Sequence, residues 1–88
     1  MRITLKDGYS MNLADKAIDN MELVDALAEM TDDTDILAVS KVVRLILGEE
    51  EREKLYDHLR TGDGRVPIQS VSETIKEIFA AYGDSGKN

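Results

Sequence analysis

The residues best equipped for chemistry in this chain are carboxylates, and their spacing matches no site well. Asp63-Gly64-Arg65-Val66 shares two positions with a calcium-binding loop. With Gly64 at the glycine position of such a loop, its first ligand falls on Leu59 and its twelfth on Ser70, where calcium needs carboxylates. The segment therefore reads as a turn between helices. Asp32, Asp33 and Asp35 could gather around a cation, but they equally suit the positive end of a helix, as do Glu49, Glu50 and Glu51. His58 is the only histidine and stands beside Asp57 in a charged stretch, so it has no second imidazole for a metal and reads as a surface residue. Ser40 and Ser70 lack the glycine elbow of an activated nucleophile. No glycine-rich loop suits phosphate. The sequence thus predicts no catalytic residue, no metal and no cofactor.

Charge narrows the partners. The chain has 88 residues, with 18 acidic and 11 basic side chains and a net charge of −7. Nucleic-acid binding draws its affinity from phosphate neutralisation by basic clusters, and none is present. The acidity favours solubility or a basic protein partner. Hydrophobic residues make up 42% and charged residues 33%, an ordinary balance for a globular domain. A chain this short forms one domain and buries roughly 60–65% of its unfolded surface. There is no cysteine, which excludes disulfides and thiolate metal sites and fits a reducing compartment. No segment reads as a signal peptide or is long enough to span a bilayer. The expectation is a cytoplasmic protein that binds neither membrane nor nucleic acid.

The elements follow from apolar periodicity. Residues 2–13 read as a β-hairpin, with Ile3 and Leu5 on one strand and Tyr9, Met11 and Leu13 on the other. A three-residue loop with Gly8 in a left-handed conformation pairs Leu5 with Tyr9 and Ile3 with Met11, which puts all five side chains on one face. An isolated hairpin is marginal in water, so that face must cover helices or meet a partner. A capping box of Asp19 and Glu22 predicts a first helix running to about Met30, with Leu23, Val24, Leu27 and Met30 inward and Glu22, Asp25 and Glu29 outward. Residues 31–35 break it, and Asp33 can cap the next helix.

That second helix is the most apolar run: Ile36-Leu37-Ala38-Val39-Ser40-Lys41-Val42-Val43-Arg44-Leu45-Ile46-Leu47, closed by Gly48 as a left-handed cap. Ile36, Val39, Val43 and Ile46 form one row and Ala38, Val42 and Leu45 another, leaving Ser40, Lys41 and Arg44 for solvent. Such a helix lies at the centre of a bundle. A third helix opens at Glu49 with a stripe of Leu55, Tyr56 and Leu59 and ends at residues 61–64. A fourth starts at Pro67, a good first helical residue, and carries Ile68, Val71, Ile75, Ile78, Phe79 and Tyr82 inward to a stop at Gly83. The prediction is a mainly α, small four-helix domain with an N-terminal β-hairpin over residues 1–83, followed by a disordered tail at 84–88.

Methionine lines surfaces that accept varied partners, so the hairpin and the start of the first helix are the candidate partner-binding region: Tyr9, Met11, Leu13 and Met21. Met21 and Met30 fit core positions as well, and Met1 is uninformative.

The order of segments adds a resemblance. Ile3-Thr4-Leu5-Lys6-Asp7-Gly8 is followed by Asn20-Met21-Glu22-Leu23-Val24-Asp25-Ala26-Leu27-Ala28-Glu29. Next come Val42-Val43-Arg44-Leu45-Ile46-Leu47-Gly48-Glu49-Glu50, Gly62-Asp63-Gly64-Arg65-Val66-Pro67-Ile68 and Ile75-Lys76-Glu77-Ile78-Phe79. In this order, over residues 3–82, the chain resembles the small tail assembly chaperones of long-tailed phages and prophages of Gram-positive bacteria. The resemblance rests on pattern and order, without a catalytic signature. It implies a protein of the host bacterial cytoplasm that binds the tape measure protein, keeps it soluble while tail-tube protein polymerises around it, and is absent from the finished virion. It further implies that a longer frameshift product of the same gene can exist, for which Gly86-Lys87-Asn88 is a suitable place. The competing expectation is a small acidic prophage adaptor or inhibitor that masks a basic protein surface with Glu22, Asp25 and Glu29, or with Glu49, Glu50 and Glu51.

Overall fold

Strand β1 (Arg2–Thr4) pairs antiparallel with β2 (Ser10–Asn12), Ile3 facing Met11. The pairing extends past both strand ends, because the Leu5 N–H donates to the Tyr9 carbonyl at 2.8 Å and the Leu13 N–H to the Met1 carbonyl at 2.8 Å. Gly8 donates to the Leu5 carbonyl at 2.9 Å and has φ 95, a backbone region that costs glycine nothing. The predicted register is the one found. A one-residue slip would have turned alternate apolar residues to water. Instead Ile3, Leu5, Met11 and Leu13 are all buried and Tyr9 is half-buried. The hairpin is a lid on the helices, and Thr4 and Ser10 hydroxyls meet at 2.9 Å on its solvent side.

The structure, a computed structural model, describes residues 1–30 and 36–85. The expected acidic break at 31–35, with its cap at Asp33, and the last three residues of the expected tail lie outside them. Among the described residues there are three helices: α1 (Met21–Glu29), α2 (Ile36–Leu59) and α3 (Ile68–Ser85). α2 packs on both α1 and α3. The expected mainly α domain with an N-terminal hairpin is found; three helices stand in place of four, because the second and third follow one another across a break at Gly48 as one bent element. Gly48 keeps its predicted positive φ but not the predicted left-handed cap, for it sits at φ 74, ψ −174. A left-handed cap turns the chain away after the last helical turn. The extended ψ of Gly48 instead lets helix resume at once at Glu49.

Two boundaries also differ from expectation. The cap of α1 is Asn20, not Asp19: the Asn20 backbone is extended and its side-chain Oδ1 accepts the Glu22 N–H at 3.0 Å. Two good capping residues stand side by side in the sequence, and the second meets the N–H. At the other end, α3 continues through Gly83 to Ser85. A glycine inside a helix costs about 1 kcal/mol relative to alanine, too little to end a helix by itself.

The core joins both strands and all three helices. Leu23 and Ala26 come from α1; Val39, Val42, Val43, Ile46, Leu47 and Leu55 from α2; Val71, Ile75, Ile78 and Tyr82 from α3. The first arm of α2 is central, as its two apolar rows predict, and Lys41 and Arg44 are exposed. Tyr82 closes the core on the hairpin side, its hydroxyl donating to the Ala14 carbonyl at 2.8 Å. Burial raises its phenol above the ordinary 10.0, with Asp15 adding to the effect. Ser72 is buried with an unpartnered hydroxyl among the described residues, whereas buried Thr74 donates to the Ser70 carbonyl at 2.9 Å.

Candidate functional site

Three titratable side chains meet at the hairpin tip. Asp7 Oδ1 accepts the Tyr9 N–H at 3.0 Å, an Asx turn inside the loop. Its Oδ2 lies 2.7 Å from His58 Nε2, and the His58 ring stacks on Tyr9 with centroids 4.2 Å apart. The Lys6 N–H donates to Glu77 on α3 at 2.9 Å. The loop is thus fastened to the second arm of α2 and to α3. The imidazole has one face on Tyr9 and one nitrogen on Asp7, which makes it a fastener. No local pattern announces this role, because His58 and Asp7 lie far apart in sequence.

The Tyr9 N–H, and after it the His58 hydrogen bond, hold the Asp7 carboxyl below its ordinary 3.8. A lowered carboxyl contributes stability that is present above the unfolded value and is lost as pH falls through the folded one. The expected result is that the Asp7 fastening of the hairpin tip is lost as pH falls below 3.8. NMR shifts of the Tyr9 and His58 rings followed against pH should show this step in the wild type, and Asp7→Asn should abolish it. A step that survives Asp7→Asn would assign it to another carboxylate.

Three more carboxylates have local partners. Asp63 takes the Thr61 hydroxyl and, at 2.7 Å, Arg65 Nε, inside a turn closed by the Thr61 N–H on the Arg65 carbonyl. Those bonds lower the Asp63 carboxyl, the Thr61 hydroxyl most of all. Glu50 and Glu51 approach Lys54 at 3.4 and 3.8 Å, exposed pairs worth a few tenths of a kcal/mol, about 1 at most. Among the described residues no group of three or more histidines, aspartates and glutamates could hold a metal; Asp32, Asp33 and Asp35 lie outside them. No described helix is long and apolar enough to cross a membrane.

The four candidate contact residues are not brought together on one open surface. Met11 is 3% exposed and Leu13 is buried; both complete the core. Tyr9 is half-buried against His58. Only Met21, 68% exposed at the start of α1, is free for contact, and Val24, expected inward, is exposed beside it.

A second accessible apolar surface lies at the starts of α2 and α3. The bend at Gly48 folds the second arm of α2 back so that Tyr56 stands near Val39 and Ser40 of the first arm. Val66, Ile68 and Val71, at the start of α3, close a groove of about 180 Å³ whose near end is Ile36. Ile36 and Ile68 are half in solvent, and Leu37, next to Ile36, is 83% exposed. Apolar periodicity places Ile36 and Ile68 with the core. It reports which residues share a helix face, but not that the first turn of each helix projects past its neighbours. Arg52 lies over Tyr56, its guanidinium carbon 5.8 Å from the ring centroid, and its buried Nε has no partner among the described residues.

No protein-family model matches this chain, nor does any curated protein or solved structure.

Proposed function

We propose that this chain is a tail assembly chaperone of a long-tailed phage or prophage of Gram-positive bacteria, holding the tape measure protein soluble while the tail tube assembles around it. What carries the reading is the apolar groove at Ile36, Tyr56 and Ile68, left open on a domain of net charge −7. A long tape measure protein exposes apolar helical faces before assembly. A groove takes such a face through side chains at helical spacing, and the surrounding negative charge keeps the complex dispersed. The groove is short, so each contact is modest and reversible, as a factor that leaves before the virion is complete requires. The hairpin contributes by roofing the core, with Met21 as the one member of the sequence-derived set that can touch a partner. The reading includes no catalytic step, and it places the chain in the host cytoplasm.

Co-expression with the long tape measure protein of the same gene cluster tests the reading. The partner should move from the insoluble to the soluble fraction with the wild-type chain and return to the insoluble fraction with Leu37→Asp/Ile68→Asp. Capture should survive a rise from about 0.1 M to about 1 M salt, over which screening shortens from about 10 Å to about 3 Å. A partner that stays insoluble with the wild type contradicts the proposal. Capture that collapses with salt supports the acidic adaptor, which would act through the exposed row of Glu22, Asp25 and Glu29.

A further inference from the structure

The groove is narrow for the occupant proposed for it. Its volume of about 180 Å³ lies below the roughly 300–1,000 Å³ of ordinary ligand pockets. One of its walls is also lightly anchored. In the second arm of α2, residues 49–59, only Leu55 is buried. The arm begins after Gly48, which sits at φ 74, ψ −174 with open space where a Cβ would stand. It runs out into residues 60–65, all of them exposed. Both ends are therefore joints, and a hinge needs only a few such residues.

The hairpin tip backs this wall. Tyr56 and His58 are two residues apart, about 200° around a helix of 3.6 residues per turn, so they stand on opposite faces of the arm. Tyr56 lines the groove. His58 turns to the hairpin, its Nε2 2.7 Å from Asp7 Oδ2 and its ring stacked on Tyr9 at 4.2 Å. The tip is braced in turn on α3, through the Lys6 N–H and Glu77 at 2.9 Å. α3 supplies another wall of the groove with Ile68 and Val71. The second arm, the hairpin tip and α3 thus form a ring of contacts around the groove. Its weak link is the pair at His58 and Asp7, whose side chains are 33% and 53% exposed.

We propose that the second arm of α2 is a hinged wall, latched closed by the hairpin tip through Asp7, Tyr9 and His58. When the latch releases, the arm swings at Gly48 with Leu55 still in the core. Tyr56 moves away from Val39 and Ser40, and the groove widens. A segment entering the groove displaces the same wall, so occupancy and latching oppose one another, each weakening the other by the same factor. The latched state lowers the apparent affinity of the groove in proportion to the fraction of molecules that are open. His58 is then a positioning residue: it faces away from the groove and governs the room inside it. The inference rests on the groove as the site of capture, but its test needs no partner.

The chain has no cysteine, so nitroxide labels can be placed at Lys41→Cys in the first arm and Glu53→Cys in the second, both exposed positions. Double electron–electron resonance on the full chain then reads the distance between the arms. His58→Ala breaks the latch from the helix side and Asp7→Ala from the hairpin side. Each should lengthen the mean distance by about 1–2 Å or more, the scale of helix shifts in switching proteins, and broaden its distribution, while melting followed by circular dichroism stays cooperative. Asp57→Ala, on the same arm but outside the latch, should match the wild type. Asp7 lies in an exposed loop, so its variant carries the test if His58→Ala proves unfolded. An unchanged distance in the folded latch variants overturns the proposal, and so does an equal lengthening in Asp57→Ala. Opening of the arms in latch variants of a chain that fails to capture the tape measure protein would strike the capture reading and leave the latch standing.

Discussion

Met11→Asp is expected to unfold the domain. Met11 pairs with Ile3 across the hairpin and is 3% exposed, with Ile3 at 2%. Its side chain lies in the cluster shared by the hairpin and all three helices. A carboxylate there loses its hydration and meets no cation, and buried unpaired charge belongs with the few substitutions that cost more than about 4 kcal/mol. A domain of this size has on the order of 4–13 kcal/mol in all. Thermal unfolding followed by circular dichroism should show no cooperative transition at 37 °C or above for Met11→Asp. Met11→Leu, which keeps the volume, should lose less than about 1.5 kcal/mol. A variant Met11→Asp that melts like the wild type but no longer captures a partner would return Met11 to the contact surface.

Gly48→Ala is the second large effect. At φ 74, ψ −174 the residue occupies a region that is essentially glycine-only, where other residues carry about 1–3 kcal/mol of strain. A Cβ at this position has nothing within 4 Å, so the cost is backbone strain without a clash. The alternative open to the variant is to straighten α2. That would carry Leu55, fully buried, and Tyr56 away from the first arm, dismantling part of the core and the groove together. At about 4–8 °C per kcal/mol for a domain of this size, the melting midpoint should fall by roughly 4–24 °C. An unchanged midpoint would mean that the bend does not depend on glycine.

The parts legible in the sequence are those where a competing arrangement would have exposed apolar residues. Only one hairpin register puts Ile3, Leu5, Tyr9, Met11 and Leu13 on a common face, and that register is found. The centrality of the first arm of α2 is legible in the same way, because two apolar rows need two neighbours. Where chemical types compete locally, the reading slips by a residue, as with Asp19 and Asn20 at the start of α1. At Gly48 the break in the helix and the positive φ were legible, but not the extended ψ, which joins the two arms as one bent element instead of capping the first. The contact surface was misplaced for a related reason. Met11 and Leu13 sit on a hairpin that looks unsupported in isolation, and Ile36, Leu37 and Ile68 sit in runs that look internal. Only the packed molecule shows that the hairpin closes the core while the helix starts project from it. The fastening of Asp7 to His58 has no sequence signal, since both residues are ordinary on their own segments.

In the proposed function the groove at the start of α2 and α3, and not the hairpin, captures the partner. Amide hydrogen exchange of the chain, alone and in its co-expressed complex with the tape measure protein, reads this directly. Added protection is expected in residues 36–44 and 66–71 and none in residues 3–13. Protection confined to the hairpin, with the helix starts unchanged, would contradict it.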